Sequence, residues 1–212
     1  FQESLPPSVP LRANPHMHLL EAALAWSAIP GGAPAWAAWA DELVALCRRH
    51  YVDPHSGAVR EHYDADWRAM PDALGRIVVE PGHQFEWGWL LVRWGRARAR
   101  PDAVADARRL VDVGERHGVD PVRNVAVNTL AIDRQVTDAP AAGARATDTR
   151  APEVSRHGLR TIDAAAKLWP QTERVKAHCA MLGLAATDAE RDASRERVAA
   201  ATDGLMQYFR AA

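Results

Sequence analysis

The 212 residues, 48% hydrophobic and 25% charged, match the make-up of folded globular chains and are enough for one substantial core, which excludes a disordered or fibrous protein. A formal charge of -1, from 26 basic and 27 acidic residues, excludes any global attraction to nucleic acid or to an anionic membrane, so partners have to be argued from local sites. Cys47 and Cys179 are the only cysteines and sit in apolar helical contexts, which excludes a disulfide framework and reads as two buried thiols.

Residues 1–13 hold three prolines and little periodicity and form an extended lead-in with neither a basic nor an apolar leader segment. No run of about 18 apolar residues follows, so the expected location is the cytoplasm. The first helix begins with Asn14 as N-cap and Pro15 at the first helical position, and runs to the Pro30-Gly31-Gly32 breaker. A second amphipathic stretch, 35–50, stops near Asp53-Pro54. Residues 56–67 (SGAVREHYDADW) alternate briefly and make the one credible β-ribbon, too short for a sheet. Helical periodicity returns over 82–98, again from Pro101 to Gly118, and Pro121 opens a further helical stretch to about Ile132. The segment 137–162, with small residues, prolines and dispersed charge, reads as a flexible insertion, exposed and free of catalytic residues. Pro170 then starts WPQTERVKAHCAMLGLAA, and a charged amphipathic helix over 188–210 closes the chain.

The six strongly periodic helices fall into three consecutive pairs. In each pair the first helix is rich in apolar and aromatic residues and the second carries more charge (DELVALCRRH, DAVADARRLVDVGERHG, ERDASRERVAAATDG). That alternation predicts an all-α toroid in which inner helices line a centre and outer helices wrap them. Equivalent polar positions recur roughly 70 residues apart from His18 to His83 and about 90 further on at Gln171, the spacing of a degenerate internal repeat.

The inner helices carry the chemistry. His83, Glu86, Trp87, Leu90 and Trp94 share one helix face, too polar for plain core and too aromatic for a solvated surface. Asn14, His18 and Glu21 lie within about 60° of one another on the first inner helix, whereas His16 points to the opposite side. The third inner helix opens Trp169-Pro170-Gln171-Thr172-Glu173, which again puts polar groups in the first turn. Helix N-termini carry unpaired amides and partial positive charge, so a histidine there is expected to stay neutral near pH 7 and to act as a base, with Glu21 and Glu86 one turn on to orient it. Eight tryptophans suit stacking on sugar rings and equally suit packing between large helices. His16, His18, Glu21, His83 and Glu86 could instead ligate a metal, but H-E-x-x-H is lacking and H-x-H on a helix diverges by about 200°, so no metal is expected. His50, His55, His62, His117, His157 and His178 stand in charged or loop contexts and are expected at the surface. No phosphate loop, serine elbow or catalytic Cys-His pair is visible.

Four ordered motifs, NPHMHLLEA (14–22), E-x-Y-D-x-D-W (61–67), EPGHQFEWGWLL (80–91) and LWPQTERVKA (168–177), resemble the N-acylglucosamine 2-epimerase family, in particular its aldose-ketose isomerases acting on mannose and related sugars. The resemblance implies an (α/α)6 barrel and a cofactor-independent, reversible conversion at C1 and C2 of an aldose through a cis-enediol. His18 and His83 match family histidines, His83 being a proton-transfer residue, and Glu86 matches a substrate-binding carboxylate. Asn14, Glu21, Trp87, Gln171 and Glu173 match positions that line or support the pocket. Family members are much longer, and an early arginine-bearing region and a late histidine have no counterpart here. The chain is therefore expected to form an incomplete barrel, a single partial domain over 1–212, whose exposed inner faces call for self-association or for an N-terminal half. A sugar isomerase or 2-epimerase of the mannose–fructose type is the expected function, with a small-molecule sugar as partner and neither nucleic acid nor membrane. The competing expectations are a non-catalytic carbohydrate-binding or interaction module and, from a third class, a metallohydrolase. No phosphate-binding arginine cluster is apparent, which leans toward a free sugar.

Overall fold

The computed structural model describes residues 3–31, 33–132 and 158–209. A short strand β1 (Leu11–Arg12) leads into α1 (Asn14–Ser27), followed by α2 (Pro34–Leu46), which ends in a π-helical turn over Cys47–Tyr51. After β2 (His62–Tyr63) and β3 (Ile77–Val79) come α3 (Pro81–Ala97) and α4 (Pro101–Gly118). Strands β4 (Val119–Asp120), β5 (Val125–Ala126), β6 (Thr129–Ile132) and β7 (Leu159–Asp163) precede α5 (Leu168–Leu182) and α6 (Asp188–Met206).

Helix starts follow from the sequence chemistry. The first four helices each have proline in the first two positions, where a missing N–H costs no hydrogen bond. Helix α6 starts on a capping box, Thr187 accepting from the Glu190 amide while the Glu190 carboxylate accepts from the Thr187 amide. Asn14 is not the N-cap of α1. Ala13 holds that position with already helical angles (φ -68°, ψ -34°), because its N–H is bound to the Glu61 carbonyl at 3.1 Å.

The inner helices α1, α3 and α5 stand side by side, and α2, α4 and α6 pack outside them, one on each. Helix α3 is the centre of the assembly and is buried from Pro81 to Val92, with Arg93 and Arg96 the first exposed side chains beyond. Close approach of α4 requires Gly88, where a β-carbon would lie 2.6 Å from Val111 Cγ2. Trp87, Leu90, Leu91 and Phe85 pack here with Met17 and Leu20 of α1 in one continuous core. No helix among the described residues is long and apolar enough to cross a membrane.

Residues 121–132 are not helical. Pro121 sits in the turn between β4 and β5, a turn closed by the Asn124 amide on the Asp120 carbonyl at 2.8 Å and by the Asp120 carboxylate on two further amides. Asn124 takes a left-handed conformation (φ 53°), which ends any helical run, and the Val125 and Leu130 side chains bury instead as strand residues, with Val127 buried between the two strands. A sheet is present after all: β3, β6 and β7 pair antiparallel, and Ile77, Val79, Val127, Leu130 and Ile132 close a second small core with Ala58. The ribbon at 56–67 contributes only β2, paired to β1 with Leu11 opposite Tyr63. Most of the expected insertion, 137–157, lies outside the described residues, while its final part belongs to β7. Cys47 is buried as expected, but Cys179 is exposed, at an open depression between α3 and α5 that Trp89, Val92 and Arg96 also line.

Candidate functional site

The amino ends of the three inner helices open into a cavity of about 470 Å³. Asn14 and His18 of α1, Glu80, His83 and Glu86 at the start of α3, and Trp169 at the start of α5 form its wall, with Arg12, Glu61 and His62 from the β1–β2 ribbon closing one side. A larger cleft of about 1250 Å³ lies between α2 and α4. Most of its arginines are tied to carboxylates, among them Arg48 to Asp102 and Asp106 and Arg98 to Asp41, which makes it a largely ion-paired surface. Among the described residues only the smaller cavity gathers buried titratable groups on convergent elements, the mark of a chemical site.

At the back of this cavity His83 Nδ1 lies 2.8 Å from Glu61 Oε2, and both side chains are almost wholly buried. A carboxylate can only accept, so Nδ1 carries the proton and Nε2 is left facing Glu80, whose nearer oxygen is 3.8 Å away. Trp169 lies against the imidazole, ring centres 5.1 Å apart, and reaches it only because position 82 is glycine: a β-carbon there would come within 2.4 Å of the indole. At the front, His18 Nδ1 is 3.5 Å from Glu86 Oε1, with the His18 side chain 65% exposed. Glu86 thus serves the histidine of the neighbouring helix, and His83 is oriented by Glu61. Glu173 accepts from Trp89 Nε1 at 2.8 Å and pairs with Lys176, which also reaches Glu21 at 4.0 Å.

The charges differ from the helix-end expectation. Burial disfavours a charged His83, yet the Glu61 carboxylate and its hydrogen bond, joined by Glu80 and Glu86, outweigh that and push its pKa up to about 9. The ring is an imidazolium near pH 7, because three carboxylates from two segments act more strongly than one helix end. Burial, then the nearby Glu173 carboxylate, raises Glu86 to about 7 against the opposing pull of His83 and Lys176. Glu80 is raised as well, by burial and by Glu61. The cavity therefore pairs a charged acid with a carboxyl group that is half ionised near neutrality. Two sets of side chains have ligand atoms within 4.8 Å of one another and could hold a divalent ion, His18 with Glu21 and Glu86, and Glu61 with Glu80 and His83.

Of the residues singled out from sequence, Asn14, His18, His83 and Glu86 line the cavity, with Glu21 beside it. Trp87 does not shape the pocket: it is fully buried, packed edge-on to Tyr51 behind α3. Gln171 is also buried away from the cavity, clamping the amide and carbonyl of Ala126 at 2.8 and 2.9 Å. Glu173 acts on the site through Lys176 and through its charge on Glu86. His16 points away as expected, with Nδ1 against the Arg12 carbonyl and its ring edge-on to Tyr51 and Trp67. His178 is not a surface residue: it is 2% exposed and bound to Glu115 at 2.8 Å. His157 lies outside the described residues.

A family model for N-acylglucosamine 2-epimerase matches residues 2–212. The chain belongs to the N-acylglucosamine 2-epimerase family. A Rhizobium meliloti (strain 1021) member, mannose-6-phosphate isomerase, is 42% identical over 210 residues, covering 97% of this chain and 47% of its own length. D-mannose isomerase of Pseudomonas cannabina pv. alisalensis is 32% identical over 126 residues, 51% of this chain and 29% of that one. A crystal structure of D-mannose isomerase superposes with a TM-score of 0.67 at 19% identity, over 95% of this chain and 46% of that one. The fold is thus that of an (α/α)6 barrel, of which the described residues form three inner/outer pairs, and the chain spans less than half the length of these relatives. Within this member of the N-acylglucosamine 2-epimerase family, sequence reasoning set His62 at the surface, although it lines the same cavity, and passed over Glu61, Glu80, Arg12 and Trp169 as site residues. Three of them lay in the motifs themselves, Glu61 opening E-x-Y-D-x-D-W, Glu80 opening EPGH and Trp169 inside LWPQ.

Proposed function

We propose that this chain carries the acid–base wall of a sugar isomerase or 2-epimerase that works at C1 and C2 of a mannose-type aldose, without a cofactor, through a cis-enediol. The observation that carries the reading is the buried Glu61–His83 pair presenting Nε2 to a cavity shared with His18 and Glu86. The names of the Rhizobium and Pseudomonas relatives support the substrate class. In the open-chain sugar, His83 gives its Nε2 proton to the carbonyl oxygen while Glu86, as carboxylate, takes the proton from C2, leaving the enediol. A proton returned to C1, with one removed from the C2 hydroxyl, gives the ketose. Return to C2 on its opposite face, with the proton removed from the C1 hydroxyl, gives the epimer. His18 and Asn14 at the rim hold substrate hydroxyls. A positioned acid–base group of this kind contributes about 10² to 10⁴-fold. Because the chain spans 47% of the Rhizobium relative, turnover is assigned to a closed barrel in which these six helices are one part, completed by a second copy or by an N-terminal half.

The test is incubation of the protein in its closed-barrel assembly with mannose, and in parallel mannose 6-phosphate, in deuterated water. Solvent deuterium should enter C1 or C2, and His83→Ala should abolish the exchange while leaving the helical circular-dichroism spectrum unchanged. Exchange that survives His83→Ala refutes the role of His83. Saturable sugar binding with no exchange in the unaltered protein would identify a carbohydrate-binding module instead.

A further inference from the structure

We propose that Glu61 is a positioning residue for His83: it fixes the imidazole with Nδ1 protonated and turned inward, so that Nε2 faces the cavity whether the ring is charged or neutral. This rests on His83 being the proton-transfer group, and it assigns a task to a residue 22 positions earlier on a different element.

The geometry that carries it begins in the backbone. Glu61 is pinned on both sides, its carbonyl accepting from the Ala13 amide and its own amide donating to the Val78 carbonyl, each at 3.1 Å. The ribbon is thereby tied to the start of α1 and to β3, and the side chain, 4% exposed, is directed at α3. Its two oxygens have separate uses. Oε1 accepts the Glu80 amide at 3.3 Å, one of the free amides at the head of α3, and Oε2 accepts His83 Nδ1–H at 2.8 Å. With one oxygen held by the backbone, the other can only accept, and the ring has a single tautomer open to it when neutral. On the far face Trp169 blocks rotation of the imidazole. The remaining charged or titratable groups around the ring are Arg12 and His62 from the ribbon, His18 from α1, and Glu80 and Glu86 from α3. Of these Glu80 is at 3.8 Å from Nε2. They add to the field at His83, but none of them contacts Nδ1.

The arrangement predicts an effect that a merely structural carboxylate would not produce. In Glu61→Gln, the amide oxygen is retained by the Glu80 N–H, so the NH₂ group faces Nδ1 and the neutral ring must carry its proton on Nε2 instead. The neutral ring, which in the second half of the reaction should take the proton of the C2 hydroxyl, then has no lone pair directed at the cavity.

The experiment is a ¹⁵N NMR titration of the full chain, the His83 signals being assigned by their loss in His83→Ala. In the unaltered protein the ring should hold its charge well above the ordinary imidazole range, and its neutral form should be the Nδ1–H tautomer. Glu61→Gln should lower the midpoint by about one to three pH units and switch the neutral ring to Nε2–H. Glu80→Gln should lower the midpoint without switching the tautomer. An Nε2–H tautomer in the unaltered protein overturns the proposal, which keeps it testable even if the Glu61→Gln variant fails to fold. So does a Glu61→Gln ring with the unaltered tautomer. In the deuterium-exchange assay Glu61→Gln should reduce kcat about 10² to 10⁴-fold with KM little changed, and an unchanged kcat refutes the positioning role. Absence of exchange in the unaltered protein would refute the isomerase reading, and the tautomer measurement would still decide the role of Glu61.

Discussion

Replacing Glu115 by glutamine should remove about 3 kcal/mol of stability near neutral pH. Glu115, on α4, accepts Arg174 Nε and Nη2 at 2.6 and 3.0 Å and His178 Nε2 at 2.8 Å, both from α5. Arg174 also donates to the Asn124 carbonyl and side chain at 3.1 Å, so one carboxylate joins α4, α5 and the β4–β5 turn. Two arguments give the magnitude. The His178 and Arg174 hydrogen bonds and the Arg174 charge overcome the cost of burial and hold the Glu115 carboxyl at about 2, and a fall to that value from the ordinary 4.5 corresponds to about 3 kcal/mol. Independently, breaking a buried ion pair by removing one member costs about 3–5 kcal/mol, and the Arg174 side chain is only 4% exposed. The folded-state pKa lies below the unfolded one, so this stability is complete above about pH 4.5 and disappears as pH falls through about 2. Urea unfolding of both proteins should show a lower midpoint and similar slope for Glu115→Gln at pH 7, with the gap closing in acid. A difference under about 0.5 kcal/mol at pH 7, or a gap that persists at pH 2, would refute the reasoning.

Glu86 works in the opposite direction: burial raises its pKa from 4.5 to about 7, so the folded state favours the protonated carboxyl and loses stability as pH rises from about 4.5 to about 7. Thermal unfolding of Glu86→Gln should therefore give a higher Tm than the unaltered protein at pH 8 and the same Tm at pH 4, and the reverse order at pH 8 would contradict the assignment. The same variant should suppress deuterium exchange into mannose at every pH. Exhaustive chelation should leave exchange intact, since the proposed proton transfers run between His83, Glu86 and the sugar. Loss of exchange on chelation, restored by a divalent ion, would instead point to the His18, Glu21, Glu86 or Glu61, Glu80, His83 sets as metal ligands.

The sequence alone determined the parts whose physics is local. Period-3.6 apolar patterns, prolines at helix starts and charged second helices were sufficient for three inner/outer pairs, and H-x-x-E at His83 and Glu86 was sufficient to place them on successive turns at the head of α3. Local chemistry misled where two local signals competed: Pro121 imitates a helix start, but Asn124 and the buried valines make a hairpin. A helical wheel gives an angle and not a neighbour, so Glu86 and Trp87, the two edges of one polar-aromatic face, part company when Tyr51 covers one and the cavity receives the other. His178 looked solvated beside Lys176 because Glu115 comes from 63 residues away. The protonation of His83 was likewise beyond local reading. It depends on the carboxylate of Glu61, brought by a ribbon that is registered through backbone bonds to Ala13 and Val78, and electrostatics in a buried site is set by what long-range packing brings within about 4 Å.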